Sequence, residues 1–530
     1  MTDIIIALFI LVDGIGVFMY SKVLSGALHG VEGRLITVES DVSEGLPVFN
    51  MVGFLASEVR EASDRVRTAI RNSGYRIKPQ RITINLSPAD LRKEGSAFDL
   101  PICVSLLAAY GFIPQSCLKD TLIIGELSLN GDLRPVRGIL SIVDYARKQN
   151  VTSVILPYEN RKEASVVPGL HIYAAKSLNE VVDHLLDTAK LNEEEYISYL
   201  DHDFTSDFYD FQDVKGQKIM KRALEIAVTG MHNILMLGPP GAGKSMIAKR
   251  IPSIMPPLSY DESIEITKIY SVNGMLTPEK GLINQRPFRM PHHSITATSL
   301  IGGGQSPKPG EISLAHNGVL FLDEFLEFNK NNIEMMRQPM EDGKITISRL
   351  QGSYTFPCKF MLVAAMNPCP CGYYPDRKKC HCTDVQVDRY LKKISYPMLD
   401  RIDMSITVKK LEYNELYGTN KEETSKSIRQ RVLKAIDIQK KRFENMNIYF
   451  NSQIPDNILD SCCMLGEDEL SLRKSIFENY NLSARGIHKL IKVARTIADL
   501  DGSKRVCCDH ILEALSYRIS NIGLGGDMKC

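Results

Sequence analysis

The chain has no excess of either charge. Its 530 residues carry 64 Lys and Arg against 63 Asp and Glu, a formal net charge of +1. No global attraction to nucleic acid follows, and any such surface must be local. The sequence also lacks an apolar run long enough to cross a bilayer, so no membrane partner is expected. A secreted disulfide scaffold is missing as well. The 12 cysteines are few for 530 residues, and four of them sit in one short segment. That distribution points to metal or to free thiols in a reducing, cytoplasmic setting. The apolar stretch Ile4 to Val12 has the length of a signal-peptide core, but Asp3 stands where a basic region belongs. Asp13 then interrupts the pattern before any small-residue cleavage site. A buried strand, an extension outside the first domain and a misassigned start with Met19 as initiator are the open readings, the last two favoured. Residues 1–18 are therefore expected to be an N-terminal extension.

What the chain does have is size and a glycine loop. At 530 residues it exceeds one hydrophobic core, so roughly two to four domains are expected. Hydrophobic residues make up 44% and charged residues 24%, the balance of a globular protein. Near its middle the apolar run Asn233 to Leu237 leads into Gly238-Pro239-Pro240-Gly241-Ala242-Gly243-Lys244-Ser245 and then Met246 to Arg250. The order is strand, glycine turn, helix. Glycines let backbone N–H groups turn inward on a phosphate chain where side chains would block the approach. Lys244 is expected to reach the β- and γ-phosphates, and Ser245 to take a place on Mg²⁺. The loop alone predicts binding of ATP or GTP.

A second half of that site lies downstream. In Gly318-Val319-Leu320-Phe321-Leu322-Asp323-Glu324, four apolar residues before the acids describe a buried parallel strand. Asp323 is expected to hold Mg²⁺ and Glu324 to polarise the attacking water. Another strand, Lys359 to Met366, ends in Asn367. This arrangement resembles AAA+ modules, in which the helical stretch Lys218 to Thr229 would flank the adenine and Asn367 would be sensor 1, orienting the lytic water. In the same comparison Arg401, within Leu399-Asp400-Arg401-Ile402-Asp403, looks like an arginine finger serving a neighbouring subunit. A surface arginine paired with Asp400 or Asp403 is the competing reading. Arg485, before a helix running to Leu500, resembles sensor 2, which would reach the γ-phosphate from a helical lid.

From Tyr20 to about Leu186, short β-like runs alternate with amphipathic helices, an α/β or α+β pattern of mixed order. Leu35 to Glu39, Ile82 to Leu86 and Val154 to Pro157 read as strands, and Ser57 to Asn72 as one helix ended at Gly74. Glu193 to Asp210 is acidic, with Asp201, Asp203, Asp207 and Asp210. It reads as a linker or strap, a solvated helix end being the favoured alternative.

Cys369-Pro370-Cys371 and Cys380-His381-Cys382 give two C-x-C pairs eight residues apart. Four thiolates this close can close a tetrahedral Zn²⁺ site, and a structural zinc is preferred here over free thiols. Adjacent His292 and His293 rarely bind one ion together; a loop contact to DNA or a neighbouring subunit and plain packing are the open readings. Ile428 to Phe443 carries Arg429, Arg431, Lys434, Lys440, Lys441 and Arg442, with Arg377-Lys378-Lys379 and Lys392-Lys393 nearby in sequence. Most basic runs are solvated faces, but lining a pore they could track a phosphate backbone.

Taken with Arg286 to Ser294, Leu300 to Gly304, Pro309 to His316 and the acidic strand, these residues resemble the ComM/YifB family of magnesium-chelatase-like AAA+ proteins over nearly the whole chain. The front region is similar to a Lon-protease-like domain through Lys93 to Pro101, Gly125 to Gly131 and Leu133 to Gly138. Aligned on Gly95 and Gly138, the places of a Lon serine and lysine fall on Ala97 and Leu140, and Ser96 is one residue off register. A Ser–Lys dyad needs both groups within hydrogen-bond reach, so no protease is expected. One departure is Ser395 to Leu399, where the family has a glycine-proline pair before the finger.

The resemblance implies a multidomain α/β architecture: an extension at 1–18, an inactive Lon-like α+β domain at 19–190 and a linker at 191–210. An AAA+ core with a parallel sheet follows at 211–415, and an all-α lid at 416–530. It implies ATP and Mg²⁺ as cofactors and self-assembly into a ring, expected to be a hexamer. The implied activity is ATP-driven remodelling of branched or single-stranded DNA, namely branch migration in recombination during natural transformation. The alternative is a chelatase-type motor remodelling a protein partner for metal insertion. A non-enzymatic DNA-binding scaffold is disfavoured by the intact hydrolytic set.

Overall fold

The computed structural model describes residues 19–198, 209–279, 281–349, 352–410, 413, 422–446, 448–480 and 482–518. The 1–18 extension, most of the 191–210 linker with Asp201, Asp203 and Asp207, and the start of the lid boundary at 416–421 lie outside them. The chain divides into two compact units, the first comprising 1–202, 267–283 and 349–352 and the second the remainder.

The first unit is built on a seven-stranded mixed sheet. Its strands are β1 (Met19–His29), β2 (Glu32–Ser43), β3 (Val48–Val52), β4 (Arg81–Ser87), β5 (Thr121–Ile123), β6 (Ser153–Pro157) and β7 (His171–Ala175). Their order is β3-β4-β2-β1-β5-β6-β7, with β1·β2 and β2·β4 antiparallel and the other pairs parallel. The helix Asp99–Ala109 is apolar all round and packs against β1 and β2, as a fully buried helix must. The single helix expected over Ser57 to Asn72 is two, Ser57–Arg60 and Ala62–Asn72, broken at Glu61. The acidic stretch does not begin as a free linker. The Glu194 N–H donates to the Ile172 carbonyl, and Glu193 pairs with His171 at 2.9 Å. Residues 267–283, inside the range expected for the ATPase core, belong to this first unit. Lys268 pairs there with Asp144 at 2.6 Å, and Ser271 donates to the buried Glu163.

The Lon-like positions have other partners here. Ser96 donates to the Glu126 carboxylate, and the buried Lys93 ammonium donates to the Pro88 carbonyl. Leu140 is buried, and its N–H donates to Glu163.

The second unit holds a five-stranded parallel sheet: β8 (Ile234–Leu237), β9 (Phe288–Arg289), β10 (Val319–Leu322), β11 (Met361–Met366) and β12 (Met404–Thr407). The order is β9-β10-β11-β8-β12, all neighbours parallel. Alternate residues feed two cores. Ile234, Met236, Val319, Phe321, Val363 and Ala365 face one cluster, while Leu235, Leu237, Leu320, Leu322, Leu362 and Ala364 face the other. Burial on both faces explains why these strands read as continuous apolar runs, each Leu-sized side chain contributing roughly 1.5–3 kcal/mol.

The first of those clusters does not stop at the sheet. Helices Lys218–Gly230, Ser425–Arg442 and Ala484–Leu500 complete it, so the lid helices and the ATPase sheet share one core. Inside it Asp499, with a side chain 0% exposed, pairs with Arg442 and Arg495 and accepts from Asn451. A carboxylate so deeply buried is tolerable only because it is paired and hydrogen-bonded.

Candidate active site

The glycine loop begins at the C-terminal end of β8, where Gly238 has no room for a side chain. A Cβ on Gly238 would stand 2.5 Å from the Val408 carbonyl oxygen, and Gly243 enters the Lys244–Ala248 helix at φ 86°. The loop is tied to β11 by the Gly238 N–H, which donates to the Met366 carbonyl at 3.2 Å. Pro240 and Gly241 form the outer turn, and Ala242 is buried beneath it.

Three strand ends meet at this loop. The Lys244 ammonium donates to the Gly238 carbonyl at 2.6 Å, to the Pro239 carbonyl at 3.0 Å and to Asn367 Oδ1 at 3.2 Å. Burial lowers the Lys244 pKa from its ordinary value, with Asp323 opposing the shift. Ser245 Oγ donates to Asp323 Oδ2 at 2.5 Å, and Asp323 Oδ1 accepts from the Glu324 N–H at 2.9 Å. Two hydrogen-bonded pairs, Lys244 with Asn367 and Ser245 with Asp323, thus stand side by side at the C-terminal edge of a parallel sheet, brought together from across more than a hundred residues. That edge is where open α/β sheets bind ligands. A hydroxyl beside a carboxylate is a hard-oxygen pair of the kind Mg²⁺ takes. A buried ammonium held only by neutral oxygens suits an incoming phosphate.

Glu324 points elsewhere. Its backbone is left-handed at φ 50°, and its carboxylate, 59% exposed, lies 3.2 Å from His293 Nδ1. The sequence singled out the two histidines but gave no sign of this contact, because His293 and Glu324 belong to different sheet neighbours. His292 stacks on His293 with ring centroids 4.1 Å apart and bonds Ser294 Oγ at 2.8 Å. The surrounding loops are braced by ion pairs: Arg289 grips Glu311 through two 2.7 Å bonds, and Arg286 grips Glu262 through two of 3.0 Å. His316 spans the same region, accepting from the Lys359 N–H and contacting Glu265 at 2.9 Å.

Arg401 and Arg485 stand together and apart from that group. Arg401 Nη2 lies 2.7 Å from Glu341 Oε1, and Arg485 Nη1 lies 3.2 Å from the same oxygen. Arg401 also donates to the Pro397 and Arg337 carbonyls. The competing reading, a pairing with Asp400 or Asp403, is not what the structure has. Asp403 is engaged by Lys489 at 2.8 Å, and Asp400 accepts from Ser483. Arg485 was expected beside its own subunit's phosphate loop. The structure instead places it next to Arg401, because the helix Ala484–Leu500 starts after Ser483, which bonds Asp400.

The four cysteines converge as their spacing suggested. All four Sγ atoms lie within 4.8 Å of one another. Cys369 is 3.3 Å from Cys371 and 3.7 Å from Cys380, and Cys371 is 3.6 Å from Cys380. A tetrahedral Zn²⁺ with Zn–S bonds of about 2.3 Å separates its sulfurs by roughly 3.8 Å, so this donor set fits. The cluster lies close to the glycine loop: a Cβ on Gly372 would meet Pro240 Cδ at 2.5 Å.

The basic stretches are largely neutralised. Arg431 pairs with Glu225 and Glu423, Arg442 with Asp499, and Arg377 with Asp384. Lys379, Lys392 and Lys393 pair with Asp376, Asp388 and Glu327. Lys434, Lys440 and Lys441 are exposed, as on a solvated face.

Comparison with known proteins covers almost all of the chain. The family "Magnesium chelatase, subunit ChlI" matches residues 210–416, "Subunit ChlI of Mg-chelatase" matches 38–160, and "Magnesium chelatase, subunit ChlI C-terminal" matches 422–518. The competence protein ComM of Haemophilus influenzae is 42% identical over 501 residues, covering 94% of this chain and 97% of its own. The uncharacterized protein YifB of Escherichia coli is 41% identical over 499 residues, with the same coverage. Lon protease 2 of Bacillus subtilis is 26% identical over 172 residues, 31% of each chain.

Proposed function

This chain belongs to the ComM/YifB family of magnesium-chelatase-like AAA+ ATPases, and from that premise we propose that it hydrolyses ATP in a ring, a hexamer, to remodel DNA by branch migration. The observation that carries the hydrolytic part is the convergence of Lys244, Ser245, Asp323 and Asn367 on one loop. Lys244 exchanges its three oxygen partners for phosphate oxygens. Ser245 and Asp323 hold Mg²⁺, which when bound neutralises charge on the β- and γ-phosphates. Asn367 orients the attacking water, and Glu324 polarises it. Arg401, paired with Glu341 and apart from the Lys244 group, is suited to a neighbour's phosphate, with Arg485 beside it.

The DNA reading rests on the family and on the word competence in the name of the Haemophilus relative. It does not rest on a basic surface, since most of those charges are paired. Natural transformation is the setting proposed, in the cytoplasm. No helix among the described residues is long and apolar enough to cross a membrane. The Lon-like domain, lacking the serine and lysine in register, acts as a non-proteolytic platform. The Cys369, Cys371, Cys380 and Cys382 set holds a structural Zn²⁺, fixing the loop that follows Asn367.

The test is the ATPase rate with and without four-way or forked DNA, in the wild type and in Lys244→Ala. Stimulation that falls with salt, absent in the variant, supports the proposal. ATP turnover indifferent to every DNA structure moves the assignment to the chelatase-type motor. Full activity in Lys244→Ala overturns the site.

A further inference from the structure

Between Asp64 and Asp90 the chain carries no acidic residue, while Arg65, Arg67, Arg71, Arg76, Lys78 and Arg81 all fall inside that interval. In a chain of net charge +1 this is a local excess of one sign. Folding cancels the lid cations, as Arg431 and Arg442 show. It does not cancel these. Among the described residues only Arg65 of the six finds a carboxylate, gripping the buried Asp99 through bonds of 2.8 and 3.0 Å. Arg67, Arg71, Arg76, Lys78 and Arg81 are exposed, and none of them makes an ion pair among the described residues.

The fold gathers four of the five. The helix Ala62–Asn72 buries Ala62, Val66, Ala69 and Ile70, which leaves Arg67 and Arg71, one turn apart, on its outer face. About 6 Å of helix rise separates them. Arg67 Cζ lies 4.8 Å from the centre of the Phe49 ring, so the ring steadies the planar guanidinium without using an N–H. Past the helix the Tyr75 N–H donates back to the Ile70 carbonyl at 3.1 Å, and Arg76 and Lys78 follow at once. Their loop is fastened to the chain that leaves the helix Asp99–Ala109. Tyr110 Oη donates to the Lys78 carbonyl at 2.9 Å, and Tyr75 meets Phe112 edge-on with ring centroids 5.6 Å apart. Phe112 keeps 37% of its surface exposed. Arg81 stands apart. It alternates with Ile82, which faces the core on the side of the helix, and so leaves on the other face of the sheet. A helix C-terminus favours cations, which accounts for Arg71 but not for Arg76, Lys78 or the exposed ring near them.

We propose that Arg67, Arg71, Arg76 and Lys78, with the Phe112 ring held against Tyr75, form a surface of the Lon-like domain that holds single-stranded DNA. Guanidinium and ammonium groups bond phosphates whatever the base sequence. An exposed ring offers a stacking face to an unpaired base, and a base inside a duplex has no face to give it. The proposal deepens the DNA reading above and rests on it.

The test titrates the full-length protein and its Arg71→Ala/Arg76→Ala/Lys78→Ala variant against a fluorescent oligothymidine at several KCl concentrations, with a duplex as second probe. The variant should lose at least roughly tenfold in affinity for oligothymidine at 0.1 M salt, and its salt slope should fall by about two, at about 0.7 for each phosphate contact removed. Basal ATP turnover should stay at the wild-type rate, since none of the three belongs to the phosphate-loop site. Phe112→Ala should weaken oligothymidine roughly fivefold and leave the duplex unchanged; equal losses on both probes would remove the ring from the surface. Arg81→Ala should bind as the wild type does. A loss there as large as in Arg71→Ala would mean diffuse charge and overturn the proposal. Wild-type affinity in the folded triple variant overturns it too, while the DNA reading stands. A wild type that binds neither probe overturns both. Polyglutamate binding that the triple variant loses, with DNA binding intact, would give the surface to an acidic protein and overturn the proposal.

Discussion

Arg401 and Glu341 form an ion pair of 2.7 Å in a site that contains none of the phosphate-loop residues. With Arg485 on the same carboxylate oxygen, two cations sit beside each other with one counter-charge between them. The Arg401 side chain is only 12% exposed and the Arg485 side chain 64%. Under the proposed reading, an anion reaching this pair from a neighbouring subunit would compete with Glu341 for it.

Subunits defective in different halves of a shared site should therefore complement. Arg401→Ala is expected to bind ATP normally and lose turnover by a factor on the order of 10³, while Lys244→Ala should lose binding and turnover together. Mixing the two inactive variants should restore part of the activity, because some neighbours then pair an intact loop with an intact finger. Mixed samples as inactive as either parent would count against action between subunits.

Metal analysis addresses the cysteine cluster. One Zn²⁺ per chain is expected in protein purified without chelators, and Cys371→Ser should lower that content and the melting temperature together. Because Gly372 lies against Pro240, affinity for ATP should fall with the metal. A metal-free wild type with four freely titrating thiols at Cys369, Cys371, Cys380 and Cys382 would refute the site.

Acid should weaken the second unit through His232. This imidazole is buried, and desolvation drives its pKa down to about 4, with Asp403 opposing and Lys492 and Lys489 adding to the shift. In the unfolded chain it titrates near its ordinary value of about 6.5. Between those values the unfolded state takes up a proton that the native state refuses, so stability drops as pH falls from about 6.5 to about 4. The cost is on the order of 3 kcal/mol. Asp403 acts in the same direction. Although burial pushes it up, Lys489 and His232 hold its pKa below the usual carboxylate range, so its contribution is lost as pH falls through that lowered value. Urea unfolding from pH 7 to pH 4 should show the decline, and His232→Gln should flatten it. An identical slope in the variant would assign the acid sensitivity elsewhere.

How much of this could be read from residues alone follows a physical divide. The glycine loop, the Asp323–Glu324 strand end and Asn367 were legible because each is a local pattern, and a parallel sheet brings strand C-termini to one edge whatever joins them. The thiol cluster was legible for the same reason, its ligands being packed into one short loop. The neighbours of Arg485 were not, since they depend on where Ser483 docks the lid helix. His293 was marked by its motif, but its contact with Glu324 needs β9 and β10 to be adjacent, which no spacing reveals. Sequence displays the charge of Arg431 and Arg442 but conceals Glu225 and Asp499, which cancel it.

The core shared between the parallel sheet and the lid helices ties their packing together. Ile234, Met236 and Phe321 belong to the same buried cluster as Leu490, Ile491 and Ala494 of the helix Ala484–Leu500, which reaches it by packing on the helix Lys218–Gly230. Close-packed interiors do not open by degrees. Separating the helices Ser425–Arg442 and Ala484–Leu500 from the helix Lys218–Gly230 would expose side chains of that cluster to water. A shared buried cluster couples the helices to the sheet, so a substitution at Leu490 or Ile491 is felt in the packing around the strands, and features outside that cluster are the ones free to differ. Those features include the His292 to Thr296 loop, the cysteine turn on Pro240 and the paired arginines at Glu341.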